Sequence, residues 1–150
     1  MAARKPLVLN SGQFEELQSG DTLDASITEK DVVTLTNDNA GSMSLGEVVY
    51  ISSDDGCDLA QADAVGTADA IGLVADASIA SSASGTVQTD GILVSAGSFT
   101  AGDIMYLDAT TAGSMTSTPP SSSGEFIVEL GKAINTTDLE ITIRRRIKLG

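Results

Sequence analysis

The side chains able to do chemistry in this 150-residue chain are few and mostly of one kind. There are 21 carboxylates, eight lysines and arginines, one cysteine and no histidine. Without histidine, neither a Ser-His-Asp nor a Cys-His arrangement can form, and a His-ligated zinc site is ruled out. Two carboxylates are enough for glycoside hydrolysis. The three Phe, two Tyr and absent Trp, however, leave little to line a sugar cleft. No glycine-rich run leads into Lys-Ser or Lys-Thr, so there is no phosphate loop. The one cysteine lies in Asp54-Asp55-Gly56-Cys57-Asp58, where neighbouring carboxylates raise a thiol pKa rather than activate it. The same five residues offer oxygen ligands to a cation such as Ca²⁺. They lack the alternate spacing and distal glutamate of a calcium loop and read better as a solvated hairpin tip. The expectation is a protein with no catalytic residues, no cofactor and no metal.

Charge is distributed unevenly along the chain. From Asp31 to Gly131 there is no Lys or Arg but fourteen carboxylates, and the net charge of the whole is −13. A surface of one sign cannot grip nucleic-acid phosphates or an anionic membrane, since both need clustered cations. The cations sit outside that stretch: Arg4, Lys5 and Lys30 before it, then Lys132, Arg144, Arg145, Arg146 and Lys148 after it. The basic C-terminal run Arg144-Arg145-Arg146-Ile147-Lys148 is interleaved with an apolar residue. It suits pairing with carboxylates, the chain's own or a neighbour's, better than nucleic acid. Arg144, Arg145, Arg146 and Lys148 are therefore candidate partner or intersubunit contacts.

The elements that must position these groups read as β. Helical periodicity is nearly absent; only Gln13 to Gln18 could make a helical turn, and it could equally be a strand edge. Short β-rich runs bounded by Gly, Asp, Asn and Ser predict strands at Leu7–Asn10, Asp31–Thr36, Glu47–Ser52, Ala70–Ala75, Gly85–Thr89, Ile92–Ser95, Asp103–Asp108, Phe126–Leu130 and Leu139–Ile147. Asp55-Gly56 and Asp90-Gly91 are hairpin dipeptides. Pro119-Pro120 with the serines after it is a loop. In the last strand Leu139, Ile141 and Ile143 alternate with polar residues until Arg145-Arg146 breaks the pattern, which predicts a bulge or a departure from the sheet. The eighteen Ser and fifteen Thr serve loops and exposed β-surface. With aromatics at 3%, the core must be built from Val, Ile, Leu and Ala, so assembly would add to a modest stability. No run of eighteen apolar residues and no signal peptide is present, which places the protein in a cytoplasm-like compartment unless a larger assembly carries it out.

The chain also echoes itself. Gly46-Glu47-Val48-Val49-Tyr50-Ile51 returns 56 residues later as Gly102-Asp103-Ile104-Met105-Tyr106-Leu107, and these are the only two tyrosines. Each copy later reaches an apolar strand holding a glycine, Ile71-Gly72-Leu73 and Leu130-Gly131-Lys132. The echo reads as two related β-units around a pseudo-symmetric core, ordinary hairpin convergence being the other reading. The tyrosines suit strand positions with the hydroxyl at the rim. The fold class expected is all-β: a small barrel or sandwich body over residues 29–150, preceded by an extended N-terminal arm over 1–28. Within that arm Lys5, Pro6, Leu7, Val8 and Leu9 are candidate partner-binding residues, because a proline followed by an apolar run stays extended and can add a strand to a neighbour.

Arg4-Lys5-Pro6-Leu7-Val8-Leu9 and Leu17-Gln18-Ser19-Gly20-Asp21-Thr22-Leu23 are similar to the start of many tailed-phage virion proteins. Gly46-Glu47-Val48-Val49-Tyr50, Gly72-Leu73-Val74, Gly85-Thr86-Val87, Asp90-Gly91, Gly102-Asp103-Ile104-Met105-Tyr106 and Gly131-Lys132-Ala133 resemble the small β-barrel structural proteins of those virions. These include capsid decoration (cement) proteins and tail-fibre domains. The resemblance implies a protein on the capsid exterior, assembled in the host cytoplasm. It would bind the major capsid protein through its N-terminal arm, self-associate as a homotrimer, and stabilise the shell. A tail-fibre or baseplate adaptor is the alternative.

Overall fold

The computed structural model describes residues 7–10, 13–16 and 30–150. The described residues contain strands and no helix. Ahead of the body, β1 (Leu7–Asn10) and β2 (Gln13–Glu16) pair antiparallel, with Asn10 opposite Gln13. The described part of the N-terminal segment is thus a hairpin, and Gln13–Glu16 is strand rather than helical turn.

The body is built on two five-stranded sheets. The first comprises β3 (Val32–Asn37), β5 (Val48–Ser53), β6 (Gly56–Leu59), β7 (Ala70–Val74) and β9 (Ser84–Gln88). It closes into a barrel in the order β3-β6-β5-β7-β9, with β9 returning to β3. The second comprises β10 (Gly91–Leu93), β11 (Ile104–Leu107), β12 (Met115–Thr116), β14 (Glu129–Ala133) and β15 (Leu139–Ile141), in the order β10-β15-β14-β11-β12. Two-stranded pairings complete it: β4 (Met43–Ser44) with β8 (Ser78–Ile79), and β13 (Phe126–Ile127) with β16 (Ile147–Lys148).

The two sheets are the same unit twice. Read from β3, the barrel runs β3-β9-β7-β5-β6; the second sheet runs β10-β15-β14-β11-β12, so the strands correspond one to one in chain order. The sequence echo marks the centre of each. Val49 lies opposite Gly72 and Tyr50 opposite Ala70, so Ile71 is skipped; Met105 lies opposite Gly131 and Tyr106 opposite Glu129, so Leu130 is skipped. Both units therefore carry the same bulge beside the same tyrosine. The entry turns also match. Gly46 and Gly102 both hold a positive φ, +85° and +92°, which glycine adopts without a Cβ penalty. The Gly46 N–H donates to Val74 and the Gly102 N–H to Ala133, while the Val74 and Ala133 N–H groups return bonds to Glu47 and Asp103. At the bulge, a Cβ on Gly72 would stand 2.5 Å from the Gln88 carbonyl oxygen, and one on Gly131 2.0 Å from that of Glu140. The adjacent strand approaches too closely for a side chain in both.

Side-chain alternation sorts the core into two layers. Val49, Val74, Val87, Leu35, Met43, Cys57 and Ile79 form one buried cluster, the barrel's filling. Their strand neighbours Val48 and Leu73 point the other way. They join Leu93, Met105, Leu107, Leu130, Leu139 and Ile141 in a second cluster between the barrel wall and the second sheet. β5 and β7 are thus apolar on both faces, which is why Val48-Val49 and Leu73-Val74 show no alternation in the sequence.

Most predicted strands appear within a residue or two, but four details differ. Phe126–Leu130 is not one strand: β13 takes Phe126 and Ile127 to pair with β16, and β14 starts at Glu129 within the second sheet. Asp90-Gly91 does not close a hairpin: β9 pairs with β3 and β7, β10 pairs with β15, and the dipeptide is the junction between the units. Both edges of β9 are already occupied, so a turn signal there cannot bring β10 beside it. Leu139–Ile147 is not one strand. β15 ends at Ile141, although Thr142 and Arg144 still donate backbone bonds to Leu130 and Glu129. The chain leaves the sheet after Arg144 and pairs again, with β13, as β16. Finally, β6 was hidden in the acidic segment, where Asp55 (φ 55°) rather than Gly56 takes the left-handed turn position.

Candidate functional site

Of the arm residues singled out in the sequence, Lys5 and Pro6 lie outside the described residues. Leu7, Val8 and Leu9 lie in β1, paired with Glu16, Glu15 and Phe14. Among the described residues no strand pairing joins this hairpin to the basic C-terminal residues.

The C-terminal cations are spent partly within the chain. The Arg144 Nε donates to Glu129 Oε1 at 3.1 Å, beside the backbone bond from Arg144 to Glu129. Arg146 pairs with Asp69, across from the second sheet to the loop before β7. Both pairs reach solvent and add little stability individually, but they fix where the tail runs. Arg145 and Lys148 are exposed and make no ion pair among the described residues. Two open hollows follow this path. One of about 670 Å³, between the start of β7, the β9–β10 junction and the end of β15, is lined by Asp31, Asp90, Thr142 and Arg144 among others. Another of about 340 Å³ is lined by Asp69, Arg145 and Arg146.

The carboxylates that the structure does organise hold turns. Asp38 accepts from the Ser52 and Ser53 hydroxyls, each at 2.6 Å, and these bonds hold its carboxyl below the ordinary carboxylate range. Asp108 accepts from the Thr110 hydroxyl and from the Thr110 and Thr111 N–H groups; the hydroxyl bond is the main cause of its lowered pKa. Asp138 is lowered chiefly by the Ser95 N–H, with the Asn135 amide adding to it. In the acidic segment Asp58 accepts from the Asn39 amide, while Asp54 and Asp55 remain exposed at the β5–β6 tip. Among the described residues no three His, Cys, Asp or Glu side chains converge to hold a metal ion. Cys57 is fully buried in the barrel, and its thiol is pushed up by burial first and by Asp38 and Asp58 second. Buried Asn37 is satisfied: its amide donates to the Gly41 and Ile79 carbonyls, and its Oδ1 accepts from the Asn39 N–H.

The surface that sequence reading passed over is the outer face of the second sheet. Ile104, Lys132, Glu140 and Ile92 lie directly opposite one another in a row across β11, β14, β15 and β10. All four are exposed, Ile104 by 40% and Ile92 by 38%. The signal was in the echo, because Gly72-Leu73 becomes Gly131-Lys132 at the same place: an apolar residue inside one unit, a cation on the other.

What these features share is an absence of converging reactive groups among the described residues and an abundance of β-surface, loops and tails available for contact. No curated protein matches the chain. The phage cement protein family matches residues 27–147, the whole of both sheets. The chain belongs to the phage cement protein family, and its role is that of a structural protein of the virion capsid.

Proposed function

We propose that the protein decorates the exterior of the capsid as a homotrimer, docks on the major capsid protein through its N-terminal segment, and acts without catalysis. The family match over residues 27–147 supports this reading, since it makes the chain a capsid cement protein. In this reading residues 1–28 are the docking arm, with Lys5, Pro6, Leu7, Val8 and Leu9 at its centre, and 29–150 are the body. Arg145 and Lys148, unpaired among the described residues, supply contacts to a neighbour. Arg144 and Arg146 hold the tail that presents them. The mechanism is mechanical: each bound copy adds contacts between shell subunits that internal pressure must break, and bound-state free energy adds to shell stability by mass action.

The test has two parts. The ratio of this chain to the major capsid protein in purified particles, by quantitative mass spectrometry, is expected near one. A ratio of a few per cent would move the protein to the tail fibre or baseplate. Deleting residues 2–12 should abolish particle binding and leave a folded trimer; a truncated chain that still decorates particles would remove the arm from the mechanism.

A further inference from the structure

The outer row of the second sheet reads Ile104, Lys132, Glu140, Ile92 from one side to the other. It is its own complement when reversed: apolar ends, with a cation and an anion between them. The corresponding row of the barrel is Val48, Leu73, Gln88, Val32. There Val48, Leu73 and Gln88 are buried, the first two in the cluster shared with the second unit. The same face of the fold is therefore covered in one unit and uncovered in the other. Just past the ends of β10 and β14, Val94 and Ile134 are also exposed, at 62% and 47%. Lys132 and Glu140 oppose each other across β14 and β15 without forming an ion pair in the structure.

We propose that this face is covered by the same face of a second copy of the chain, about a two-fold axis running along the strands. That rotation sets Ile104 against the second copy's Ile92 and Lys132 against its Glu140, each contact occurring twice. Charge complementarity argues for a second copy in particular, since an unrelated partner needs no palindromic row. The contact is isologous, so it joins two assemblies and leaves a three-fold contact to other faces. It goes beyond the docking arm and does not depend on it.

The test is the mass of the full chain by analytical ultracentrifugation at low salt, over a concentration series up to about 1 mM. The mass is expected to double as concentration rises. Lys132→Glu and Glu140→Lys each place like charges face to face, and each should weaken the doubling about tenfold or more. The double variant K132E/E140K restores opposite charges across the axis and should return association to the wild-type level, with circular dichroism verifying that all three fold. A wild-type mass that never doubles, single variants that associate unchanged, or a double variant that stays weak would each overturn the proposal. So would K132E losing particle binding while its mass series matched the wild type, which would assign the face to the shell.

Discussion

The barrel and the second sheet share strand order, entry turn and bulge, yet one closes and the other stays open. In the barrel, Thr36 and Asn37 of β3 pair in parallel with Gly56 and Cys57 of β6. Their counterparts β10 and β12 are shorter, three and two residues, and do not meet. Closure gives the barrel its own filling, so its wall can present a second apolar face for the other unit to cover. The open sheet fills its inner face with the barrel's outer wall and has no second core. One topology thus takes two roles, set by which rows carry charge.

Exchanging residues between equivalent positions tests this most severely. Leu73→Lys imports the second sheet's cation into a fully buried site with no partner, and should cost about 4 kcal/mol or abolish folding in urea denaturation. Wild-type stability for that variant would break the equivalence of the two rows. A smaller effect separates the matched glycines. A Cβ at Gly46 would sit 1.9 Å from the Ala96 carbonyl oxygen, whereas one at Gly102 meets nothing within 4 Å. Gly102→Ala should therefore cost about 1 kcal/mol, for its positive φ alone, and Gly46→Ala about 3 kcal/mol or more. Equal losses would mean that the barrel-side turn is not packed as described. Val48→Ala and Ile104→Ala sharpen the contrast further: about 2 kcal/mol for the buried valine and under about 0.5 kcal/mol for the exposed isoleucine, by the same assay.

Acid should affect both units through their turns, with the smallest change. Asp38, Asp108 and Asp138 all have carboxyls held below the ordinary range by hydrogen bonds. A carboxylate depressed in the folded state stabilises it above the unfolded pKa of about 4, and that stabilisation is lost as pH falls through the folded value. Unfolding midpoints in urea should be level from about pH 5 to 8 and drop below about pH 4. Asp108→Asn should lower the plateau slightly and flatten the acid limb; a limb as steep as the wild type's would exclude Asp108 from it.

Much of this was legible in residue order. Alternation placed β15, the β-rich runs placed most of the strands, and the Gly-acid-apolar-apolar-Tyr echo marked the duplicated unit because the same turn and bulge need the same residue types. The short strands β4, β8 and β12 were not legible: two residues carry no periodicity, and their pairing depends on partners about 36 residues away or on a neighbouring strand. Asp90-Gly91 misled because a turn dipeptide specifies a local bend, while strand pairing needs a free edge. The break after Arg144 was anticipated near Arg145, where alternation fails, but its return as β16 rests on β13.

The amino-acid sequence by itself determined that this protein is all-β, acidic in its body, basic toward its end and without the histidine that a Ser-His-Asp or Cys-His arrangement or a His-ligated zinc site requires. Those properties follow from composition and local spacing, which no packing can change. Tertiary structure alone decided that one copy of the repeated unit closes and the other does not, that Arg144 and Arg146 pair within the chain, and that Ile104 faces outward where Val48 is buried. A residue's type sets what its burial would cost; only the assembled sheets decide which residues are covered.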